Sequence, residues 1–237
     1  MDFRGFLEKL EAKGELVRVR EPVDLREISG RTAAAPAAVR FENVTGYAMG
    51  VVSGILGSRA RMGIALDCDH RDIGKVFLER MRHPRQPVMV ETAPVKEVIL
   101  EGGAIDLTAL PVPLVGQLDG GPYITSAIGI ARDPEYGRNA GCYRLMIRTG
   151  TETSIDLVGA SDLKLFYDRA FSQGKPLQVA FAIGVSPAML MAAAHMAPAG
   201  QDERSRRVHP PTPTGFEDRC AVLLQDEAGT FDARTRR

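Results

Sequence analysis

Residues 137–150, GRNAGCYRLMIRTG, place an asparagine among glycines and an arginine at the head of an apolar, strand-like run. Asn139 and Arg144 stand five residues apart, across the point at which the predicted strand CYRLMIRT begins. Upstream, the turn residues in DPEYGRNAG join this strand to a second candidate strand, YITSAIGIAR. The stretch therefore predicts a β-hairpin with Asn139 in its turn and Arg144 at the mouth of a strand.

The segments on both sides of this hairpin predict a mixed α+β protein. Near the N-terminus, helical spacing of apolar residues after Asp2 predicts a helix that ends at Gly14, and ELVRVR alternates as a strand does. VVSGILGSRARMGIAL predicts a strand and a helix joined by a glycine turn, and HRDIGKVFLERMRHP predicts an amphipathic helix. After the hairpin, strand, helix, strand and helix are predicted in turn for TSIDLVG, SDLKLFYDRAFSQG, LQVAFAIG and PAMLMAAAHM.

Changes in local amino-acid composition along the chain predict three regions. Glycines and prolines cluster in EGGAIDLTALPVPLVGQLDGGPYIT, which is typical of a domain boundary or a long ordered loop. We therefore predict an N-terminal α/β domain over residues 1–105 and a β-rich domain over residues 106–203. Residues 204–237 have no apolar period and only Arg as basic residue, so this tail is predicted to be disordered.

Composition limits the classes of function. The 237 residues carry 30 basic and 30 acidic side chains, so net charge gives no indication of binding to nucleic acid or to an anionic membrane. The three cysteines, Cys68, Cys142 and Cys220, are far apart and form no CxxC pair, which indicates reduced thiols and a cytoplasmic location. The long apolar run LQVAFAIGVSPAMLMAAAHM is interrupted by Gly184 and Pro187, so it predicts a strand, a turn and a helix.

Four polar residues remain as candidates for chemistry, because the phosphate-loop, HExxH, GxSxG and GxGxxG patterns are absent. They are Asn139, Arg144, Asp162 and Glu203. The amide and carboxylate oxygens are hard ligands suited to Mg²⁺ or Mn²⁺ bridging a phosphate. Each also has a structural alternative: Asn139 suits a turn, Asp162 suits a helix start, and Glu203 suits an exposed surface.

Several longer motifs occur in a fitting order over residues 1–203: DFRGFLEKLEAKGELVRVREPVD, FENVTGY, DGGPYITSAIGIARDPEYGRNAGCYRLMI and AFAIGVSPAMLMAAAHMAPAGQDE. In these motifs the chain resembles the UbiD family of reversible decarboxylases. The resemblance implies that prenylated FMN is the cofactor and that CO₂ is removed from an aromatic or α,β-unsaturated acid. It also implies that residues 106–203 form an incomplete flavin-reductase-like split β-barrel that binds prenylated FMN.

The resemblance assigns roles to the N-x-x-x-x-R motif. It implies that Asn139 holds Mn²⁺ or Mg²⁺ on the cofactor phosphate, together with Glu203. It implies that Arg144 faces the flavin and the substrate carboxylate, in a pocket away from bulk water. The cofactor-binding stretch then comprises Asn139, Ala140, Gly141, Cys142, Tyr143 and Arg144.

Two further ligand sets follow from the resemblance. Asp162 stands where many relatives have a histidine ligand, so it is either the third metal ligand or only the first residue of a helix. Backbone carbonyls around Ala193, Ala194 and Met196 are implied as ligands of a monovalent cation such as K⁺.

The chain departs from the family in the segment that supplies the catalytic acid. The E-x-x-x-x-E segment that supplies the proton is not recognisable, and the spacing of Glu227 and Asp232 is interpreted as a coincidence. We therefore expect no decarboxylation by this chain alone, and association either with itself or with a chain that supplies the C-terminal half. The alternatives are a non-catalytic flavin-phosphate-binding subunit and a truncated or frameshifted gene product.

Overall fold

The computed structural model of the protein describes residues 1–83, 90–91, 93–157, 161–195 and 221–223. Within these ranges the chain has a mixed α+β structure. The α-helices are α1 (Phe3–Ala12), α2 (Ile28–Ala34), α3 (Arg59–Leu66), α4 (Ile73–Arg82), α5 (Asp162–Ser172) and α6 (Pro187–Ala193). The strands are β1 (Leu16–Val19), β2 (Ala38–Phe41), β3 (Val51–Ser53), β4 (Tyr123–Ile124), β5 (Ile128–Asp133), β6 (Gly137–Cys142), β7 (Leu145–Ile147), β8 (Thr153–Ile155), β9 (Val179–Ile183) and β10 (Ala221–Leu223). Single-turn 3-10 helices lie at Pro94–Lys96, Gly102–Ala104 and Leu107–Ala109.

The N-terminal elements confirm the sequence predictions. The Asp2 carboxylate accepts a hydrogen bond of 2.5 Å from the backbone N–H of Gly5, which caps α1. The apolar face of α1 buries Phe6, Leu7 and Leu10. The helix is followed by Gly14, whose φ of 72° is readily adopted only by glycine, and the chain then enters β1.

The first sheet has the strand order β1-β2-β3. Strands β1 and β2 are parallel, and the short helix α2 lies between them in sequence, whereas β2 and β3 are antiparallel. Helix α2 and strand β2 were not predicted, because ISGRTAA and AVRF are too short to show a clear apolar period. The core on this sheet consists of Val23, Ile28, Val39, Phe41 and Val44.

The chain divides into two compact units. The first comprises Met1–Arg80, Gly102–Ile124 and Met146–Thr153, and the second comprises the described residues of Met81–Glu101, Thr125–Leu145 and Ser154–Arg237. Both units are discontinuous in sequence, and the domain boundaries at residues 105 and 203 stay a prediction.

The second unit contains a four-stranded sheet with the order β10-β9-β5-β6, in which all neighbours are antiparallel. Helices α5 and α6 cover its two faces. On one face, Leu163 and Phe166 of α5 pack against Ala131 and Val179, and on the other, Met189 of α6 packs against the alternate strand residues. This arrangement gives the β5–β6 hairpin a packed helix on each side.

The sheets of the described residues are small, and none of them closes into a barrel. A third sheet has three short strands in the order β4-β7-β8. The expected split β-barrel is therefore not confirmed. Of residues 204–237, only Ala221–Leu223 are described, as an edge strand on β9, and the prediction of disorder otherwise lies outside the described residues.

The apolar run that begins at Leu177 is divided between two elements, as predicted. Strand β9 ends at Ile183, Gly184 has a φ of 77°, and Ser186 caps α6 by accepting from the backbone N–H of Met189. Among the helices that the structure describes, none has the length and apolar character needed to span a lipid bilayer.

Candidate functional site

Asn139 lies within strand β6, which corrects the prediction that it lies in the turn. It stands directly opposite Ala131 in the β5–β6 ladder. The turn is completed earlier, since the Asp133 carboxylate accepts hydrogen bonds from the backbone N–H groups of Glu135 and Tyr136 at 2.8 and 3.0 Å. Gly137 then adopts a φ of 79° and starts the return strand. Asn139 is thus held by a ladder of backbone hydrogen bonds and not by a loop.

The pairing register shows which face of the sheet Asn139 occupies. Residues opposite each other in an antiparallel ladder share a face, and side chains alternate along each strand. Ala131 packs against α5, so its partner Asn139 lies on the α5 face, together with the pair Gly129 and Gly141. Ala140 lies on the opposite face, where it packs against the α6 cluster.

The ring of Tyr143 covers the paired glycines on this face. A Cβ atom on Gly141 would lie 2.9 Å from Cε2 of Tyr143, and one on Gly129 would lie 2.8 Å from its Cδ2. Real Cβ atoms essentially never approach so closely, so both positions require glycine while the ring stays in place. The ring also packs on the cluster that contains Leu163 and Phe166 of α5.

Tyr143 is half-buried beside the first turn of α5, where it packs against the cluster that contains Leu163. The pKa of Tyr143 is raised, mainly because burial disfavours the charged phenolate. The Asp162 carboxylate also raises this pKa, whereas the backbone N–H of Leu163 and the Ser161 hydroxyl lower it by less. With a raised pKa, Tyr143 stays a neutral phenol near pH 7.

Asp162 is the first residue of α5, as the sequence predicts. Ser161 is the N-cap and accepts a hydrogen bond of 3.3 Å from the backbone N–H of Lys164. The Asp162 side chain is exposed, and its charge is favourable at the positive end of the helix dipole. Asp162 and Asn139 lie on the same side of the sheet, which is compatible with both alternatives for Asp162.

Arg144 lies in the two-residue link between β6 and β7, where the chain leaves one sheet and enters another. The preceding residue is fixed by a backbone hydrogen bond of 3.2 Å from the N–H of Tyr143 to the carbonyl oxygen of Ala127, and the following residue, Leu145, is 1% exposed. Arg144 itself is exposed. The placement of its side chain in a pocket beside a flavin stays a prediction.

An ion pair between the partly exposed Arg169 and the buried Asp133 fixes the other end of α5 to the hairpin. Arg169 donates from Nε to Asp133 at 3.0 Å and from Nη2 to Glu135 at 2.5 Å, and its guanidinium lies 4.9 Å from the ring centroid of Tyr136. Burial raises the pKa of Asp133. The hydrogen bonds from the N–H groups of Tyr136 and Glu135 and the nearby Arg169 cation lower it by more, so the net effect is a decrease in the pKa. Helix α5 is thus attached to the hairpin near both of its ends.

The remaining predicted ligands fall partly within the described residues. Ala193 ends α6 and Ala194 is its C-cap, and the last carbonyls of a helix have no partner within the helix. Met196 and Glu203 lie outside the described residues. In the part of the chain that the structure describes, no group of three or more His, Cys, Asp or Glu side chains could hold a metal ion.

Cys142, the last residue of β6, shows no sign of nucleophilic activation. Its Sγ donates to the carbonyl oxygen of Leu190 over 3.7 Å. Burial raises the pKa of the thiol, so the reactive thiolate is disfavoured at neutral pH. Cys142 therefore contributes to the site through its backbone position and not through its sulfur.

Sequence reasoning missed the contacts of Tyr143 and the Asp133–Arg169 ion pair. The signals available were weak: two glycines twelve residues apart, one in a strand candidate and one at the end of the predicted turn, and an Asp-Pro turn followed by an Arg in a later helix. Neither pattern specifies a partner, because pairing of Gly129 with Gly141 depends on the register of the hairpin.

Two family models match the chain. The 3-octaprenyl-4-hydroxybenzoate carboxy-lyase N-terminal domain matches residues 7–81, and the Rift-related domain of the same carboxy-lyase matches residues 87–206. The phenolic acid decarboxylase of Sedimentibacter hydroxybenzoicus is 32% identical over 205 residues, covering 78% of this chain and 43% of that protein. The anhydromevalonate phosphate decarboxylase of Methanosarcina mazei is 30% identical over 203 residues, which cover 85% of this chain and 47% of that protein.

Solved structures agree with these matches. The UbiD-class enzyme HmfF from Pelotomaculum thermopropionicum, in complex with FMN, superposes with a TM-score of 0.81 and 37% identity, covering 89% of this chain and 49% of that one. Vanillic acid decarboxylase of Sedimentibacter hydroxybenzoicus in its closed form gives a TM-score of 0.77 and 32% identity, with coverage of 86% and 47%. The chain thus spans about half the length of these relatives. On the two domain matches and this structural likeness, the chain belongs to the UbiD family of carboxy-lyases.

Proposed function

We propose that this chain is the cofactor-binding part of a UbiD-class carboxy-lyase that acts on an aromatic or α,β-unsaturated carboxylic acid with prenylated FMN. The observation that carries the proposal is the placement of Asn139 on the same face of the β5–β6 hairpin as the Asp162 end of α5. The relatives' names support the reaction class, since the two curated relatives described above are named as decarboxylases. The HmfF structures contain FMN or prenylated FMN, which supports the cofactor.

The described residues fit a metal-bridged phosphate in the chemistry of their donors. Asn139 offers an amide oxygen and Asp162 a carboxylate, and both atoms are hard ligands that suit Mn²⁺ or Mg²⁺. We propose that Glu203 completes the protein ligands, which leaves positions for phosphate and water oxygens. In the same proposal, residues 106–203 form an incomplete split β-barrel, and the carbonyls of Ala193 and Ala194 bind a monovalent cation such as K⁺.

Arg144 is proposed to orient the substrate. Its planar guanidinium can donate two parallel hydrogen bonds to a carboxylate, which fixes the acid group in one orientation. Bound prenylated FMN supplies the electron sink for the loss of CO₂. Because Arg144 is exposed in this chain, exclusion of water from the reacting carboxylate needs a further polypeptide segment over it.

We propose that this segment also carries the acid. A recognisable E-x-x-x-x-E pair is absent from residues 1–237, so proton delivery to the carbon that has lost CO₂ is assigned to residues outside the given sequence. An uninterrupted apolar run in the second unit supports association, because Val98, Ile99 and Leu100 are 76%, 63% and 61% exposed. Multi-chain and dimeric structures occur among the solved relatives.

A second candidate function is a flavin-phosphate-binding subunit without catalysis, since the amide and carboxylate oxygens of Asn139 and Asp162 suit a phosphate-bound cation in either case. Such a subunit would bind FMN through the same residues and would gain no activity from any added polypeptide. Co-expression with a UbiD C-terminal half that carries E-x-x-x-x-E separates the two, because only the carboxy-lyase then releases CO₂.

Titration of the chain with FMN, in Mn²⁺ or in EDTA, tests the cofactor site. Tighter binding is expected in Mn²⁺, and Asn139→Ala is expected to remove the difference, since loss of a ligand or its support lowers metal affinity about 10–100-fold. Riboflavin, which lacks the phosphate, should show no metal effect. Arg138→Ala is the matched control, because Arg138 is an exposed neighbour that alternates to the opposite face of β6. Equal binding of FMN in both conditions would remove the metal site from the proposal.

A further inference from the structure

We propose that the outer edge of strand β6 is a docking site for a β-strand of the polypeptide that carries the acid pair. The added strand extends the β10-β9-β5-β6 sheet next to Asn139. The inference rests on the proposed function, because it concerns the segment that supplies the acid. It names the surface that this segment binds and the kind of segment that fits there.

The hydrogen bonds of the β5–β6 ladder show which backbone groups reach this edge. Tyr143 donates from its backbone N–H to the carbonyl oxygen of Ala127 at 3.2 Å, one step beyond the last pair of the ladder. In an antiparallel ladder, residues bonded to the facing strand alternate with residues whose N–H and C=O groups point away from it. Asn139 and Gly141 are therefore bonded to β5 as Tyr143 is. The outward-pointing groups belong to Arg138, Ala140 and Cys142.

Among the described residues, no strand lies beside these outward-pointing groups. Strand β6 is the last in the order of its sheet, and its only strand neighbour there is β5. Arg138 and Cys142 are exposed, and Ala140 is half-buried. A row of N–H and C=O groups on an open edge is a template for pairing with another extended chain.

The two edges of this sheet differ in their protection against strand addition. In the described part of the chain, the opposite edge is β10, which is three residues long. Very short strands, charges and prolines are the usual protection of an edge. Strand β6 has six residues, of which only Arg138 is charged and none is proline. The β6 edge is therefore the more receptive of the two.

The two faces of β6 define the side chains that suit an added strand. On the α6 face, Ala140 and the half-buried Leu190 pack on an apolar cluster. On the α5 face lie Asn139 and Gly141. Side chains alternate between faces, and adjacent strands lie about 4.8 Å apart. The fitting strand therefore presents apolar residues towards α6 and polar residues beside Asn139.

The lengths of the relatives identify the occupant. This chain covers 49% of HmfF and 47% of vanillic acid decarboxylase, so about half of each relative has no counterpart in it. The proposed function assigns the acid and the cover over Arg144 to residues outside the sequence. Strand β6 leads through Tyr143 directly to Arg144, so a chain paired with β6 comes close to this arginine. A second copy of this chain would bring no acid pair, and we therefore assign the edge to the C-terminal half.

Amide hydrogen exchange, measured for single residues by NMR, tests the docking site. The full 237-residue chain is compared alone and co-expressed with a UbiD C-terminal half that carries E-x-x-x-x-E. In the chain alone, the amides of Arg138, Ala140 and Cys142 should exchange at nearly the unprotected rate. In the complex their exchange should slow by at least about 10-fold, because each amide gains a hydrogen bond. The amides of Asn139 and Gly141 are internal controls, since both are bonded to β5 in either sample.

A matched pair of variants at one outward-pointing position gives a second measurement. Arg138→Pro removes the outward N–H, whereas Arg138→Ala removes only the side chain. Loss of one backbone hydrogen bond should weaken binding of the C-terminal half about 2- to 10-fold in the proline variant relative to the alanine variant. Dilution of the co-expressed complexes measures this difference. Equal affinities overturn the inference, and if the proline variant does not fold, the exchange pattern decides.

The outcomes separate this inference from the proposed function. A complex that releases CO₂ while the three outward amides stay unprotected overturns the docking site and leaves the proposed function intact. Protection of these amides in the chain alone, rising with its concentration, assigns the edge to a second copy and overturns the inference. Protection without CO₂ release supports the docking site and favours the non-catalytic subunit. A C-terminal half that neither binds nor restores CO₂ release overturns the proposed function together with the inference.

Discussion

Gly141 lies directly opposite Gly129 in the β5–β6 ladder, and the Tyr143 ring occupies the space that a side chain at either position would need. Gly141→Ala would place a Cβ atom 2.9 Å from Cε2 and 3.0 Å from the hydroxyl oxygen of Tyr143. We expect this variant to lower the free energy of unfolding by about 1–3 kcal/mol, the usual cost of overpacking. Urea unfolding of the variant and the wild type measures the change.

The control for this prediction is Gly74→Ala. Gly74 lies in α4, and a Cβ atom built there meets nothing within 4 Å. The higher helix propensity of alanine should leave stability unchanged or raise it by up to about 1 kcal/mol. A similar loss of stability in both variants would show that contact with Tyr143 is not the cause at Gly141.

The Asp133 carboxylate leads to a prediction about how the stability of the fold depends on pH. Its folded pKa is lowered, since the hydrogen bonds and the Arg169 cation outweigh the effect of burial. The stabilisation is therefore fully present above the pKa of the unfolded chain, about 4, and is lost as pH falls through the lower folded pKa. Asp133→Asn should cost about 1.5–3 kcal/mol at pH 7, and this difference should shrink below about pH 4. Unfolding curves for both proteins at several pH values measure it, and a difference that does not depend on pH would contradict the assignment.

At the scale of the element, helix α5 forms two ion pairs that are expected to contribute differently to the free energy of unfolding. Lys164 and Asp168 form an i,i+4 pair at 2.6 Å on its exposed side, whereas Arg169 binds Asp133, whose side chain is only 6% exposed. Lys164→Ala should cost no more than about 0.5 kcal/mol. Arg169→Ala leaves a buried carboxylate without its cation and should cost about 1–3 kcal/mol, less than the loss of a fully buried pair because Arg169 is partly exposed.

Thermal unfolding of the two single variants tests this ranking. In 1 M NaCl the small effect of Lys164→Ala should vanish, since exposed pairs are screened, while most of the effect of Arg169→Ala should persist. Equal effects of the two substitutions would mean that Arg169 does not hold the hairpin on α5.

At the scale of the whole molecule, catalysis is expected to need more than this chain. A positioned acid typically contributes about 10²–10⁴-fold to a rate, so the chain reconstituted with prenylated FMN should release CO₂ slower by that factor than the same chain co-expressed with an E-x-x-x-x-E polypeptide. Release of CO₂ from an aromatic or acrylic acid measures the rate, with Arg144→Ala in the co-expressed complex as the inactive control. Rapid turnover by the chain alone would show that the acid lies within the 237 residues.

The sequence by itself determined the helices with clear apolar periods and caps, such as α1 after Asp2 and α5 after Ser161, because these signals are local to each segment. It also determined the family, since motifs distributed over residues 1–203 agree with the two domain matches. Local signals were insufficient for α2 and β2, whose segments are short.

Only the tertiary structure decided where the candidate site residues lie. Asn139 has a strand position because Asp133 and Gly137 complete the turn before it and residues 138–142 then pair with β5. The exposure of Arg144 and the position of the Tyr143 ring on Gly129 and Gly141 depend in the same way on contacts between residues distant in sequence. Such contacts are set by strand register and by packing across the sheet, and neither is encoded in the spacing of residues along one segment.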